Sequence, residues 1–339
     1  MPRFFKFTLL MLLLPVAARA QQPAPPAAMP KAAPQPQTQP PVVKTATANP
    51  ANSAQSGDDT SYVIKVGVNE VNLVFTVTDN NGRFVRDLKQ QDFQLLDDRM
   101  PPEKVLRFTQ QTDMPLRVGL LIDTSSSVHS RFDFEQRSAI DFLQQVLRRG
   151  KDEAFVMGFD SQPDITQPFT ANLDKLAAGI NGMKSNGGTA LYDAIYKACR
   201  DQMLPVQANQ ALRKTIVLLS DGHDNQSHFP TSQEAIRECQ RAETSVYTIS
   251  TNVSPTKDSG DDVLAHISEE TGGRTFVPRK EEDVAHAFYL ISDELRSQYA
   301  LEYRPADFKT NGDFRPIWLA AADRKYHVRA RKGYYAPRE

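Results

Sequence analysis

The sequence predicts an α/β protein whose doubly wound, mainly parallel sheet is inserted into a small antiparallel β module built by both flanks of the chain. Between residues 114 and 297, short apolar runs alternate with helical stretches, which is the pattern of a parallel sheet with helices on both faces. Alternating, β-branched segments precede and follow that region. The 339 residues, 40% of them hydrophobic, suffice for one large or two modest domains.

The first 57 residues are predicted to lie outside both folded parts. Residues 1–20 contain basic residues, then a short apolar stretch, then the small-residue signature Ala18-Arg19-Ala20. This order is typical of a secretory signal peptide. A membrane anchor is the alternative, but the apolar stretch is short for a bilayer. Residues 21–57 are rich in Pro, Ala and Gln, which predicts a disordered linker. We therefore expect an exported protein, periplasmic or secreted, with no membrane insertion after signal cleavage.

Residues 58–113 are predicted to form the N-terminal β module, as an antiparallel sheet or sandwich. Asn81-Gly82 predicts a turn, since both residue types accept positive φ. The predicted strands are 62–66, 71–77, 92–98 and 105–108.

Residues 114–297 are predicted to form the α/β domain, with a short edge strand at 165–169. Its other predicted strands are 116–123, 154–159, 215–220, 245–250 and 274–277. Its predicted helices are 132–148, 173–183, 190–200, 233–242, 262–271 and 281–296.

Residues 298–339 form a β tail with strands predicted at 298–303, 314–320 and 326–331 and a turn at Asn311-Gly312. A tail this short cannot easily form its own core. We therefore expect it to pack with the N-terminal β module.

The segment Asp123-Thr124-Ser125-Ser126-Ser127 directly follows the apolar run 118–122. That run is typical of a buried parallel strand, and ligands of open α/β sheets bind beyond such strand ends. A carboxylate and two hydroxyls at alternate positions are oxygen ligands, which suit a hard cation such as Mg²⁺. Alternatively, Asp and Ser here only cap the next helix.

Two further segments complete a pattern: Gly187-Gly188-Thr189 opens a predicted helix, and Asp221-Gly222 follows a second buried strand. The three segments together resemble the metal-ion-dependent adhesion site of von Willebrand factor type A domains. The family's five metal-site positions fall on Asp123, Ser125, Ser127, Thr189 and Asp221. The resemblance implies a bound Mg²⁺ (or Mn²⁺) with one position left for an exposed Asp or Glu of a partner protein. It also implies that a ligand-induced shift can be passed to the final helix, 281–296.

Segments 77–85, 270–274 and 328–335 are similar to an exported bacterial family, the VWFA-related proteins abundant in Acidobacteria. This resemblance runs from residue 62 to the end and implies an architecture more than an activity. Residues expected at the rim of the ligand site are His129, Gly188, His223 and Asp224.

The expected function is a non-catalytic, cation-dependent protein-binding module for adhesion or scaffolding. A metal-stabilised structural protein and a Mg²⁺-dependent hydrolase are the alternatives. No G-x-S-x-G elbow or phosphate-binding glycine loop is present, and a formal net charge of −1 gives no case for nucleic-acid binding. Cys199 and Cys239 can pair in an oxidising compartment, but two buried free thiols are favoured.

Overall fold

The computed structural model describes residues 70–110, 114–128, 131–206, 212–252, 256 and 258–338. The expected signal peptide, the linker, the strand at 62–66 and His129 therefore lie outside the described residues. Within the described ranges, none of the helices has the length and apolar character that a membrane span requires.

The strands and helices below are numbered along the chain. The strands are β1 (Val71–Thr78), β2 (Phe93–Asp97), β3 (Lys104–Thr109), β4 (Leu116–Asp123), β5 (Glu153–Phe159), β6 (Pro163–Thr170), β7 (Arg213–Ser220), β8 (Thr244–Ser250), β9 (Thr275–Phe276), β10 (Tyr299–Arg304), β11 (Phe314–Ala321), β12 (His327–Ala330) and β13 (Gly333–Tyr335). The helices are α1 (Phe132–Val146), α2 (Leu173–Asn181), α3 (Leu191–Lys197), α4 (Ser232–Arg241), α5 (Ser259–Thr271) and α6 (Glu281–Arg296).

The α/β part contains a six-stranded sheet in the order β6-β5-β4-β7-β8-β9. All its pairings are parallel except that of β5 with the edge strand β6, which is antiparallel. The chain runs outward from β4 to β5 and β6, then returns to place β7 on the other side of β4. This reversal makes the crevice at the carboxyl ends of β4 and β7 the expected place for a ligand. The predicted doubly wound, mainly parallel sheet is confirmed.

Helices cover both faces of this sheet because successive strand residues point to opposite sides. On one side, Leu120 and Ile122 of β4 belong to a buried cluster with residues of α1, α2 and α6. On the other, Leu121 belongs to a cluster with residues of α3, α4 and α5. Gly119 allows close packing there, because a Cβ at that position would lie 2.6 Å from Cζ of Phe155.

Asp152 fixes the start of the central strand. It accepts hydrogen bonds from Leu116 N (2.8 Å) and from Arg148 Nε (2.8 Å). Burial alone raises the pKa of the Asp152 carboxyl, but the hydrogen bonds from Arg148 and Leu116 outweigh burial and hold this pKa below its usual range. The ionised carboxylate thus ties β4 to the end of α1.

Both flanks of the chain build the β module, as the sequence predicts. One sheet has the order β12-β1-β10-β3, in which strands from before and after the α/β part alternate. The other has the order β13-β11-β2, in which two strands from after the α/β part pair with one from before it. The two sheets share a core in which Phe75 and Phe93 pack on Tyr299, with ring centroids 5.3 and 5.8 Å from its ring. The module is therefore a sandwich, the second of the two arrangements that the sequence allows. The predicted domain boundaries stay predictions.

A buried ion pair joins β2 and β11 within one sheet, and its carboxylate also accepts a hydrogen bond from the other sheet. Asp97 on β2 accepts a hydrogen bond from Arg315 Nε on β11 (2.8 Å). Its second oxygen accepts from the hydroxyls of Tyr303 (2.7 Å) and Tyr334 (2.9 Å), on β10 and β13. The carboxylate of Asp97, from the N-terminal flank, therefore receives these three hydrogen bonds from strands of the C-terminal flank.

The tail contains a strand that the sequence analysis missed. A single strand is expected at 326–331, but β12 ends at Ala330 and β13 begins at Gly333. Between them, Lys332 O accepts a hydrogen bond from Ile317 N at 2.8 Å, and the chain passes from one sheet to the other.

The preference for free thiols was wrong, because Cys199 and Cys239 form a disulfide with a Cα–Cα distance of 4.9 Å. The helix predicted over 190–200 is α3 followed by a π-helical turn, Ala198–Met203, which carries Cys199. That turn packs against α4, which carries Cys239, and both side chains are fully buried between the helices.

Candidate metal centre

Four of the five expected metal ligands, all except Thr189, lie at or just beyond the carboxyl ends of β4 and β7, at the point where the strand order reverses. Asp123 is the last residue of β4, and Asp221 comes directly after Ser220, the last residue of β7. The two strands are hydrogen-bonded neighbours, with Ile122 opposite Leu219. Parallel pairing therefore brings the first and third sequence segments to one edge of the sheet.

Asp123 is fully buried beneath the first loop. One carboxylate oxygen accepts a hydrogen bond from Ser125 N at 2.9 Å, and the other accepts from the hydroxyl of Ser220 at 2.7 Å. Burial raises the pKa of the Asp123 carboxyl to about 6, although the hydrogen bonds from Ser125 and Ser220 act in the opposite direction. A neighbouring cation would favour the ionised form.

The serine hydroxyls continue this arrangement outward to the surface. Ser125 Oγ lies 2.9 Å from Ser127 Oγ. Ser127 Oγ then donates to a carboxylate oxygen of Asp221 at 3.0 Å. The other oxygen of Asp221 accepts from His223 N at 3.0 Å. Since Ser125 is buried and Ser127 is exposed, the row of oxygens opens to solvent.

The second loop, which carries Thr189, is bonded to the first. Asn186 N donates to Thr124 O at 2.6 Å, and Ser126 donates to Gly187 O through its backbone N–H (3.2 Å) and its hydroxyl (3.1 Å). Gly187 has a φ of +79°, which favours glycine. The loop therefore holds a fixed position beside the serines.

Thr189 is buried and is bonded to the third loop. Its N–H donates to Asn225 Oδ1 at 2.9 Å, and its carbonyl accepts from the backbone N–H of Asn225 at 3.0 Å. Gly188 lies against the same loop, because a Cβ there would come within 2.5 Å of Gln226 Cγ. The structure thus links the loops of all three sequence segments by direct hydrogen bonds.

Two residues expected at the rim have internal partners. The carboxylate of Asp224 accepts from Tyr192 N (2.9 Å) in the first turn of α3 and from the hydroxyl of Ser227 (2.6 Å), so it holds the helix start. His223 Nε2 lies 2.7 Å from Asp258, the N-cap residue of α5.

Two residues that orient the site, Ser220 and Asn225, are not among the site residues expected from the sequence. Ser220 is a hydroxyl at the end of an apolar strand, a signal that the sequence does contain. Asn225 lies in a polar loop, and no periodicity distinguishes it from its neighbours.

The residues present fit a hard divalent cation. Within the described ranges, no three His, Cys, Asp or Glu side chains group as a metal site. A cation here would therefore depend on serine and threonine hydroxyls beside the two aspartates. This is an all-oxygen donor set, which suits Mg²⁺ or Mn²⁺. The buried Asp123 supplies the negative charge that such an ion would compensate.

Comparison with solved structures returns proteins of low sequence identity. The conserved hypothetical protein BatB from Bacteroides thetaiotaomicron is 13% identical, with 52% of this chain and 99% of that chain covered and a TM-score of 0.41. A von Willebrand factor type A protein from Catenulispora acidiphila is 12% identical, with 73% of each chain covered and a TM-score of 0.48. Proximal thread matrix protein 1 of the mussel byssus, with a zinc-occupied MIDAS motif, is 12% identical, with 57% of this chain and 48% of that chain covered and a TM-score of 0.47.

None of the curated proteins matches the chain. The similarity to the exported bacterial subfamily stays a prediction. Residues 118–223 match the family model of the von Willebrand factor type A domain, and this range runs from β4 through both aspartates of the candidate site. The chain therefore contains a von Willebrand factor type A domain.

Proposed function

We propose that this protein is a non-catalytic, divalent-cation-dependent protein-binding module of the bacterial envelope or exterior. It captures an Asp or Glu side chain of a partner protein, for adhesion or scaffolding. One observation carries the proposal: the hydroxyls of Ser125 and Ser127 and the carboxylate of Asp221 form a hydrogen-bonded row that reaches the surface, and Asp123 lies beneath it and accepts from the backbone N–H of Ser125.

Five residues hold the cation in this proposal: Asp123, Ser125, Ser127, Thr189 and Asp221. When bound, Mg²⁺ or Mn²⁺ supplies a positive charge that attracts an anionic group. Hydroxyl ligands are neutral, so they leave that charge available to a carboxylate from outside. Ser220 orients the buried aspartate, and Asn225 positions the backbone of the second loop.

The chemistry of the site favours binding over catalysis. A metal-assisted hydrolase needs a general base in reach of the reacting water, with a pKa tuned to the working pH. Here both oxygens of each aspartate accept hydrogen bonds from the site's own loops. The imidazole of His223 faces Asp258.

The proposal is tested by retention of envelope proteins on the immobilised protein, in Mg²⁺ and in EDTA. We expect proteins that are retained only in Mg²⁺, and we expect Ser127→Ala to abolish this retention. Ser126→Ala is the matched control, because the Ser126 hydroxyl bonds Gly187 O and its backbone N–H keeps the same contact.

Exchange of one Asp or Glu of a retained protein for its amide should release it. Retention that is equal in EDTA, or equal for Ser127→Ala, contradicts carboxylate capture and favours a structural role for the ion.

A further inference from the structure

A cavity of about 240 Å³ opens beside the proposed metal centre, on the side of β5 and β6. Its floor consists of buried residues: Thr124, Gly158 and Met183. Its rim carries charged and polar side chains, chiefly Asp160, Asp164 and Lys184. The cavity lies outside the set of residues proposed to hold the cation.

Gly158 of β5 forms part of the cavity floor, between two strands that carry side chains at the paired positions. Gly158 pairs with Ile122 of β4 on one side and with Asp164 of β6 on the other. A Cβ at Gly158 would lie 3.4 Å from Met183 Sδ and 3.4 Å from Thr124 Cγ2. The cavity therefore runs from the strand that carries Asp123 to the edge strand, across two strand spacings or roughly 10 Å.

The wall of the cavity is continuous with the candidate metal centre. The carbonyl of Asp160 accepts a hydrogen bond from Ala190 N at 2.7 Å. The hydroxyl of Ser161 accepts from Gly188 N at 3.2 Å. The loop after β5 thus rests on the loop of Thr189, so a ligand at the metal centre would also border the cavity.

The charges around the cavity favour a cation. Two carboxylates, those of Asp160 and Asp164, face one ammonium group, that of Lys184. Within the described part of the chain, neither Asp164 nor Lys184 forms an ion pair. Asp164 is exposed and lies on the edge strand β6, so its charge is available to a ligand.

The floor offers a further polar group. Thr124 is 6% exposed and lines the cavity. Its hydroxyl makes no hydrogen bond to the residues that the structure describes. Since Thr124 lines the open cavity, this hydroxyl is available to a ligand that enters it.

The geometry points to a second recognition pocket, which takes the Arg or Lys side chain of a partner residue adjacent to the carboxylate bound at the metal centre. This inference rests on the proposed function. The aliphatic stem of the side chain packs on Met183 and the methyl group of Thr124, because long cationic side chains bury their stems on apolar surface. The cationic head pairs with Asp164, and its N–H groups reach the hydroxyl of Thr124.

The test is a selection from a display library of random short peptides on the immobilised protein in Mg²⁺, with elution by EDTA. We expect eluted peptides to carry Asp or Glu next to Arg or Lys. Exchange of the basic residue for Ala in a selected peptide should weaken binding about tenfold, the lower end of the scale for a hydrogen bond to a charged group, because Asp164 is exposed. The selection is repeated with Asp164→Lys and with Asp141→Lys, a charge reversal at an exposed position of α1.

The outcomes separate the pocket from the metal centre. Loss of the basic preference in Asp164→Lys, with its retention in Asp141→Lys, supports the pocket. EDTA-eluted peptides with an acidic residue but no basic preference, or a preference unchanged by Asp164→Lys, overturn the pocket and leave carboxylate capture intact. Peptides that EDTA does not elute, or that lack an acidic residue, contradict the proposed function and the pocket with it.

Discussion

Reduction of the Cys199–Cys239 disulfide should lower the stability of the α/β domain markedly. The bond joins the π-helical turn after α3 to α4, and these two helices follow the loops of Thr189 and Asp221. Both sulfurs are buried in the core cluster beneath the sheet. The bond therefore restrains the unfolded chain and fixes two helices that lead away from the candidate metal centre.

The size of this loss of stability follows from the length of the loop that the disulfide closes. With a sequence separation of 40, the loop-closure entropy removed from the unfolded chain corresponds to about 4 kcal/mol at 25 °C. Replacement of both cysteines by alanine should cost somewhat more, because the buried sulfur atoms are then lost from the core as well.

Urea unfolding, followed by far-UV circular dichroism, measures this effect. The oxidised protein, the reduced protein and the double variant Cys199→Ala/Cys239→Ala are compared. Reductant should leave the double variant unchanged, which serves as the control. If the oxidised and reduced proteins differ by less than about 1 kcal/mol in free energy of unfolding, the reasoning on loop closure fails.

Three further predictions concern the framework around the site. Asp97→Ala removes the buried carboxylate that lies 2.6 Å from the guanidinium of Arg315, so the free energy of unfolding in urea should fall by about 3–5 kcal/mol. Asp98→Asn, at the half-exposed carboxylate 3.9 Å from the same guanidinium, should change it little, and equal losses would contradict the assignment. Truncation after Arg296 removes β10–β13, so amide protection of β1–β3 should collapse, whereas retained protection would show that the flanks are independent. The folded-state pKa of Asp152 is lowered, so its contribution to stability is present above its unfolded-state pKa and is lost as the pH falls through the folded-state pKa. Asp152→Asn should therefore weaken the fall in the free energy of unfolding at acid pH. An unchanged fall in the variant would refute this prediction.

Local patterns in the sequence predict much of this fold, because the spacing of apolar residues indicates which side of a helix or strand is buried. The helix predicted at 281–296 is α6 without any shift of its ends, and the apolar run before Asp123 is the central strand. The pairing of the two flanks follows from a physical need, since neither has enough residues for a core of its own.

Features that depend on the order of strands and the packing of helices were not accessible from local patterns. Cys199 and Cys239 each show a helical context, but only the assembled sheet makes their helices neighbours. Asp224 has the polar character of a rim residue, yet it holds the start of α3. Gly158 is an ordinary residue of a predicted strand, and only its pairing between β4 and β6 places it in the floor of a cavity.

The most direct test of the central claim is calorimetric titration of Mg²⁺ into the metal-free protein, compared with Asp123→Ala and Ser126→Ala. We expect one bound ion for the wild type and for Ser126→Ala. For Asp123→Ala we expect an affinity about 10- to 100-fold lower, because the buried carboxylate orients Ser125 and supplies the compensating charge. Near-UV circular dichroism should show that the fold of the variant is kept. An unchanged Mg²⁺ affinity in a folded Asp123→Ala variant would show that the cation does not bind at this site.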